Sequence, residues 1–187
     1  GAKMQQLVET PNVPTEDLFR YTSGPRTSEV ILVGEAWGSE EAAAKRPFVG
    51  SSGKELDRIL SEAGLKRDDI LCTNVIHAQP RANDFTEFLA PQTEKLGRGE
   101  TWHDLNGLKA RRELLEGTRN LHRLIQTLRP KLLIAAGNIP LWALSNHAGI
   151  STQAGFKLPT GITSWRGSQT YSRDIMGRRY PLLPIIH

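Results

Sequence analysis

The sequence predicts a three-layer α/β sandwich built on a parallel sheet. Short apolar segments typical of buried strands alternate along the chain with segments whose apolar residues recur at helical spacing. The chain has 187 residues, of which 38% are hydrophobic and 24% charged, so it is long enough and apolar enough for one domain with a sizeable core.

The first half of the chain contains two strands separated by helices. Residues 1–28 are polar and contain three prolines, and we interpret them as an amino-terminal arm that precedes a single domain at 29–187. The elements predicted here are a short helix at Thr15–Tyr21, a strand at Val30–Val33, helices at Ser39–Lys45 and Lys54–Ala63, and a strand at Ile70–Ile76. Gly64 follows the third helix, where a left-handed residue commonly ends a helix.

The second half continues the alternation after a long polar stretch. Residues 81–108 resemble a functional or flexible loop more than a packed element. The remaining predicted elements are a helix at Lys109–Leu128, a strand at Lys131–Ala136, a helix at Ile139–Asn146, a loop-rich stretch at 149–165, a polar hairpin or loop at 166–180 and a final strand at Tyr180–Ile186.

Composition excludes several classes of protein. A single cysteine, Cys72, rules out a disulfide framework and any metal site built on several thiolates, and it suits a reducing compartment. No apolar run approaches the length of a membrane span, so we expect no membrane partner and a cytoplasmic location. The net charge of +4 is compatible with a polyanionic partner without requiring one.

Three residue types that carry chemistry occupy positions typical of an α/β site. Glu35 follows the first strand in a glycine-flanked loop, which is how such enzymes present acids at the carboxyl ends of their strands. Phe48 lies in a loop between proline and valine-glycine, and Asn74 lies near the end of the second strand. Taken singly, each has a structural alternative: Glu35 caps a turn or pairs with an arginine, Phe48 packs in the core, and Asn74 satisfies backbone groups.

The ordered set of these segments resembles the uracil-DNA glycosylase superfamily, and especially its branch of thermophile iron–sulfur enzymes and their phage-encoded relatives. The resemblance covers about residues 30–187. It is carried by VGEAWG, RPFVGSSGKELDRIL, TNV, RPKLLIAAGN, RG and LLPIIH in that order. It implies an α/β/α sandwich around a four-stranded, mainly parallel sheet.

The resemblance also implies roles for individual residues. Glu35 would position the attacking water and stabilise the cationic sugar, and Phe48 would stack on a base flipped out of the helix. Asn74 would read the edge of that base, and His187 would donate to it as negative charge develops. Further residues implied in base and phosphate binding are Ala36 and Trp37 in the first loop, Ser51 and Ser52 before the following helix, and Arg166.

The chain departs from the family pattern in three places. Trp37 stands where the family usually has proline, and would either stack on the nucleotide or DNA backbone or pack beneath the loop. The sequence stops at His187, where the family continues, so we expect a truncated carboxyl terminus. Only Cys72 is present where the iron–sulfur relatives use four cysteines, so we predict no cluster, no metal and no cofactor. His77, near one of those cysteine positions, is interpreted as a solvated loop residue.

These observations predict a monomeric, monofunctional DNA glycosylase that flips a uracil-like or modified pyrimidine from single- or double-stranded DNA and hydrolyses its N-glycosidic bond. The alternatives are an enzyme specific for a 5-modified pyrimidine in viral DNA, a non-catalytic DNA-binding module of the same fold, and an enzyme of free nucleosides or nucleotides. The 5-modified alternative rests on Gly38, a small residue near the position where a bulky side chain blocks such bases in some relatives.

Overall fold

The computed structural model describes residues 15–89, 103–105, 108–145, 149–153, 156–160 and 170–186. Its helices are α1 (Thr15–Phe19), α2 (Ser39–Ala44), α3 (Gly50–Glu62), α4 (Arg112–Leu128) and α5 (Asn138–Leu144). Its strands are β1 (Val30–Gly34), β2 (Leu71–Asn74), β3 (His103–Leu105), β4 (Leu108–Ala110), β5 (Leu132–Ala136), β6 (Gly149–Gln153), β7 (Phe156–Thr160), β8 (Thr170–Tyr171) and β9 (Pro181–Ile185).

The central sheet has the order β2-β1-β5-β9-β8. Its first four strands are parallel, and the two-residue β8 pairs antiparallel with β9 at the edge. The predicted α/β sandwich with a mainly parallel sheet is therefore confirmed, with one short strand more than the four expected. The chain leaves β1 toward β2 on one side and later returns to β5 on the other, so the carboxyl end of β1 is a switch point, where α/β sheets bind ligands.

Alternating side chains along each strand build a separate core on each face of the sheet. Ile31 and Val33 of β1 pack with the apolar sides of α4 and α5, whereas Leu32 packs with Leu56 and Leu60 of α3. This arrangement accounts for the three layers. Because the parallel strands are covered on both faces, they are almost continuously apolar in sequence.

Residues 15–28 of the predicted arm pack against the sheet. Phe19 of α1 is buried in the larger core. Ser23 forms a two-way backbone bridge with Cys72, in which the Ser23 amide donates to the Cys72 carbonyl (3.0 Å) and the Cys72 amide donates to the Ser23 carbonyl (2.8 Å). The described part of the arm thus extends the packed structure beyond the edge strand β2.

Most differences from the predicted elements concern their ends. Helix α3 begins at Gly50 rather than Lys54, and α4 begins at Arg112 rather than Lys109 because 108–110 form a strand. Ser39 is the first residue of α2 and not its cap, which is Gly38. The stretch expected to be loop-rich, 149–165, contains the β6–β7 hairpin within its described residues.

The interpretation of 81–108 as an unpacked loop is wrong for its described beginning. Two short 3-10 turns, Arg81–Asn83 and Phe85–Phe88, lie near its start, and the antiparallel strands β3 and β4 lie further along. Phe85, Phe88 and Leu89 are all buried in the larger core. Phe85, Phe88 and Leu89 have the i, i+3, i+4 spacing of a helix, but they span a single turn in a polar context, so the sequence pattern did not reveal them as core.

Gly117 lies in the middle of α4, where alanine would ordinarily be favoured by about 1 kcal/mol. A Cβ at this position would lie 2.1 Å from the carbonyl oxygen of Val75, just after β2. We therefore expect Gly117→Ala to destabilise the protein by about 1–3 kcal/mol in denaturant unfolding, because helix and strand must separate. The matched control is Thr127→Ala on the exposed side of α4, which should change the free energy of unfolding by about 0.5 kcal/mol or less. A stabilised Gly117→Ala would contradict the close packing.

Candidate active site

A cavity of about 310 Å³ opens at the carboxyl edge of the sheet, beside the switch point at the end of β1. Its wall combines the ends of β1, β2 and β5 with the loops that follow them. The lining residues are Gly34, Glu35, Ala36, Trp37, Gly38, Glu41, Phe48, Ser52, Asn74, Pro80 and Ala136. Seven of the nine site residues predicted from the sequence lie in described parts of the chain, and six of these seven, all but Ser51, line this one cavity.

Gly34 is the point on which two of the predicted residues converge. A Cβ on Gly34 would lie 2.5 Å from Cζ of Phe48 and 2.7 Å from Nδ2 of Asn74. Since real Cβ atoms do not approach other atoms this closely, only glycine lets the ring and the amide meet over the end of β1.

Phe48 is held in an unusual backbone conformation. Its φ is 52°, in the left-handed region that bulky residues seldom occupy. Its carbonyl accepts a hydrogen bond from Nη1 of Arg67, and Arg67 is in turn ion-paired with Asp57 (2.9 Å). The ring packs with Leu32 and Leu56 in the smaller core and also lines the cavity. Phe48 is therefore both a core residue and a rigid aromatic wall.

Asn74 is only 4% exposed, and its side chain lies at the wall of the cavity. Among the described residues, its Oδ1 is buried without a hydrogen-bond partner. Leaving such an acceptor unpaired costs about 1–3 kcal/mol. An amide kept in this state at a cavity wall is suited to a ligand that brings its own N–H donor.

Glu35 lies at the mouth of the cavity and is exposed. Its carboxylate forms neither an ion pair nor a hydrogen bond within the described residues, so neither pairing with an arginine nor capping of a turn is observed. The surrounding protein removes part of its hydration, which raises the pKa of Glu35 above the ordinary carboxyl value. Because solvent still reaches the residue, this desolvation acts as a modest bias toward the protonated form.

Glu41, which sequence reasoning missed, connects the two loops of the site. It is 8% exposed, and its carboxylate accepts from the amide of Gly38 (3.1 Å), the amide of Val49 (3.0 Å) and the hydroxyl of Ser52 (3.2 Å). One side chain thus sets the spacing between the Glu35 loop and the Phe48 loop. The available signal was an acid three residues after a helix-capping position, here Gly38.

Glu41→Gln removes the negative charge to which all three donors bind, and turns an amide group toward at least one of them. We expect a loss of about 2 kcal/mol in unfolding free energy, because hydrogen bonds to a buried charge are worth about 1.5–3 kcal/mol. We also expect the distance between Glu35 and Phe48 to change, which would lower any activity that needs both. Glu62→Gln breaks an exposed ion pair with Arg58 and should cost less than about 1 kcal/mol. Equal effects of the two changes would contradict the bridging role.

Trp37 packs beneath the loop, as one of the two alternatives predicted. It is 6% exposed, and its ring lies against Tyr21 (5.2 Å between centroids) and His77 (5.8 Å). The interpretation of His77 as a solvated residue is wrong. This ring is largely buried against Tyr21 and Trp37, and burial lowers the pKa of His77 to about 4. The three rings pack against one another beneath the Glu35 loop.

Two acids of α2, Glu40 and Glu41, lie against the start of α3, where the resemblance predicts a phosphate. Ser52 donates to Glu41 and to the carbonyl of Val49 (3.0 Å), while Ser51 is exposed. A Cβ on Gly50 would meet the carboxylate of Glu40 at 1.5 Å, so this second acid also lies against the first turn. Both carboxylates oppose an anion here. Arg166 and His187 lie outside the described residues.

The residues present do not fit an iron–sulfur cluster, which is held by four cysteine thiolates. The chain has one cysteine, and burial raises the pKa of Cys72 to about 11, which keeps the thiol protonated. Within the described ranges, no group of three or more histidine, cysteine or acidic side chains is arranged to hold a metal ion. None of the helices described has the length and apolar character needed to cross a bilayer.

Comparison with known proteins agrees with this geometry. The family model "Uracil DNA glycosylase superfamily" matches residues 21–187. A type-4 uracil-DNA glycosylase of Pyrobaculum aerophilum is 35% identical over 85 residues, covering 43% of this chain and 43% of that protein. Those of Saccharolobus solfataricus and Archaeoglobus fulgidus are 30% identical over 115 residues (61% of this chain, 43% of that protein) and 42% identical over 60 residues (32% and 30%).

The chain therefore matches less than half the length of each of these relatives. The family model, however, covers almost the whole chain and includes every strand of the central sheet and every residue that lines the cavity. The agreement of fold, motif order and family model leads to one conclusion: this chain belongs to the uracil DNA glycosylase superfamily.

Proposed function

We propose that this protein is a monofunctional DNA glycosylase that excises a uracil-like pyrimidine and leaves an abasic site. The observation that carries the proposal is the meeting of Glu35, Phe48 and Asn74 around one cavity large enough for a base, in a chain of this superfamily. An acid, an aromatic wall and an unpaired amide are the groups that base excision needs.

The base would bind between Phe48 and Asn74. A base that leaves the DNA stack loses contact with its neighbours, and the fixed ring of Phe48 compensates for part of that loss. The imide edge of uracil offers an N–H donor and carbonyl acceptors, which complement the unpaired Oδ1 and the Nδ2 of Asn74. Ala36 and Trp37 contribute further wall to the same cavity.

Glu35 and His187 would act on the two sides of the breaking bond. As the N-glycosidic bond lengthens, positive charge develops on the sugar and negative charge on the base. The carboxylate of Glu35, at the cavity mouth, would stabilise the cation and orient water. For His187 the support is indirect: β9 ends at Ile185 on the same edge of the sheet, two residues before it. Phosphate contacts by Ser51 and Arg166 stay part of the proposal, although the carboxylates of Glu40 and Glu41 near Ser51 weaken the first of them, and Ser52 is already engaged by Glu41.

The target base has two candidates. Gly38 lines the cavity without a side chain, so the pocket has no bulky group at this position to exclude a 5-substituted pyrimidine, as in some viral DNA. Uracil and 5-modified pyrimidines placed in the same oligonucleotide context, tested side by side, would rank the two. Faster release of a 5-modified base would establish the second candidate.

The decisive experiment is release of free base from uracil-containing single- and double-stranded oligonucleotides, followed by cleavage of the abasic product. Absence of release from uracil and from every modified pyrimidine at high enzyme concentration would overturn the proposal.

Unchanged DNA binding with no base release in Glu35→Gln, Asn74→Asp and the unaltered protein would indicate the binding module. Activity that is indifferent to DNA length and to salt would indicate an enzyme of free nucleosides, since phosphate contacts make DNA binding salt-dependent. We also infer that the protein is a monomer and that it acts in the cytoplasm. Gel filtration tests the oligomeric state.

A further inference from the structure

A second cavity lies on the opposite side of Asn74 from the first. It has a volume of about 270 Å³ and is enclosed by α1 with the residues after it, the end of β2, and α4. Its lining residues are Asp17, Leu18, Arg20, Tyr21, Thr73, Asn74, His77, Asn120, Leu121 and Leu124. Asn74 is the only lining residue that the two described cavities share. The proposed base excision makes no use of this second space.

The interior of the second cavity suits a flat ring. Leu18, Leu121 and Leu124 provide an apolar floor, and the rings of Tyr21 and His77, with centroids 5.4 Å apart, provide an aromatic wall. The volume is just below the range usual for drug-sized ligands, which matches an occupant of nucleobase size.

Two of the residues that line the second cavity carry buried polar atoms without partners within the described chain: Nδ1 of His77 and Oδ1 of Asn74. His77 is neutral at physiological pH because burial lowers its pKa to about 4, so one of its ring nitrogens accepts hydrogen bonds. Both atoms are therefore complemented by a ring that carries N–H donors.

The rim of the cavity carries the ion pair of Arg20 and Asp17, and a second arginine lies one turn from a lining residue. Arg20 lines the cavity and lies over the ring of Tyr21, at 5.9 Å from its centroid, with Asp17 as its exposed partner. On α4, Arg123 follows the lining residue Asn120 by one turn, and its Nε is buried without a partner among the described residues. Guanidinium groups beside an apolar, hydrogen-bonding pocket favour an anionic substituent such as a phosphate on the bound ring.

We propose that this cavity is a second binding site, separate from the base-excision cavity, for a nucleotide: a nucleobase held against Tyr21 and His77, with its phosphate at Arg20 and Arg123. The nucleotide is either free or part of a DNA strand. Because Asn74 belongs to both cavities, an occupant that donates to its Oδ1 competes with a base in the first cavity.

The test is equilibrium binding of uridine monophosphate, adenosine monophosphate, uridine and inorganic phosphate to the full chain by calorimetry without DNA. We expect the monophosphates to bind with dissociation constants below about 1 mM, the nucleoside about tenfold more weakly, and phosphate not detectably. Leu18→Trp fills the mouth of the cavity and should abolish binding, whereas Leu128→Trp, at another half-buried leucine, should leave it unchanged. If Leu18→Trp does not fold, Arg20→Gln at the exposed rim should weaken monophosphate binding about tenfold.

Two results would overturn the second site: no monophosphate binding at about 5 mM, or binding that survives Leu18→Trp but is lost in Phe48→Ala, which would assign it to the first cavity. Short oligonucleotides as competitors separate the two sources of the nucleotide. Displacement of the bound monophosphate by an oligonucleotide, both in the unaltered protein and in Phe48→Ala, points to DNA, and the absence of displacement points to a free nucleotide. Since none of these measurements needs base release, a protein inactive on every DNA can still confirm the site.

Discussion

Glu35→Gln is expected to lower the rate of base release by about 10²–10⁴-fold while leaving the fold intact. The substitution keeps the shape of the side chain and removes the charge that would stabilise the sugar cation and hold water. Folding should not depend on that charge, because Glu35 is exposed and forms no ion pair with the residues described. Single-turnover base release from a uracil-containing oligonucleotide, with thermal unfolding alongside, measures both effects.

The pH dependence gives this prediction a second readout. The pKa of Glu35 is raised by desolvation, and the proposed role needs the ionised form. Activity should therefore fall as the pH drops through this raised pKa, and the fall should begin at a higher pH than for an ordinary carboxylate. The same shift means that the ionised carboxylate slightly opposes folding above its unfolded pKa, so the Gln variant should be no less stable at neutral pH.

The control is Glu29→Gln, at the other end of β1, where the exposed acid pairs with Lys131 at 3.1 Å. It removes the same charge from a position next to the same strand at a distance from the cavity, and the rate of base release should not change. A Glu35→Gln protein with full activity, or one with an unaltered acidic limb in its pH profile, would show that the catalytic carboxylate is another residue.

Gly34→Ala is expected to remove most of the activity by a purely steric route. The new methyl would meet the ring of Phe48 at 2.5 Å and the amide of Asn74 at 2.7 Å, so both groups must move. Displacements of about 1 Å in a site cost about 10²-fold in rate, and overpacking costs about 1–3 kcal/mol of stability. Base release and denaturant unfolding, measured on the same preparation, test both.

Gly64→Ala is the matched control for the loss of stability. Gly64 lies beyond the far end of α3 with φ +76°, and its Cβ would meet nothing within 4 Å. Alanine there should cost about 1 kcal/mol through backbone strain alone and leave base release unchanged. If Gly34→Ala is active, or if both variants lose activity in proportion to stability, then Phe48 and Asn74 do not need the arrangement described.

Several parts of the site are predictable from the sequence because they depend on local sequence order. An acid directly after a buried strand reaches the carboxyl edge of a parallel sheet wherever that strand pairs, and Glu35 lines the cavity at that edge. The same reasoning applied to Asn74 at the end of β2. The spacing of apolar residues predicted the helices and the main strands. Their ends were less predictable, because β4 and the first turn of α3 have weak local preferences.

Glu41 and the aromatic support of Trp37 could not be predicted in this way. Glu41 joins Gly38 to Val49 and Ser52, and a bridge of this kind depends on how two loops pack rather than on any periodic pattern. Trp37 left two alternatives open, and only the positions of Tyr21 and His77, which come from separate segments, select packing beneath the loop. A single sequence does not specify such long-range contacts.

The α/β architecture, and the order in which an acid, an aromatic ring and an amide follow one another, are evident in the amino-acid sequence. These depend on strand and helix periods and on motif order, which are local properties of the chain. The position of β1 between β2 and β5, and the meeting of Phe48 and Asn74 over Gly34, are evident only in the folded protein. A cavity forms where segments distant in sequence leave space between them, and that space is set by packing across the whole fold.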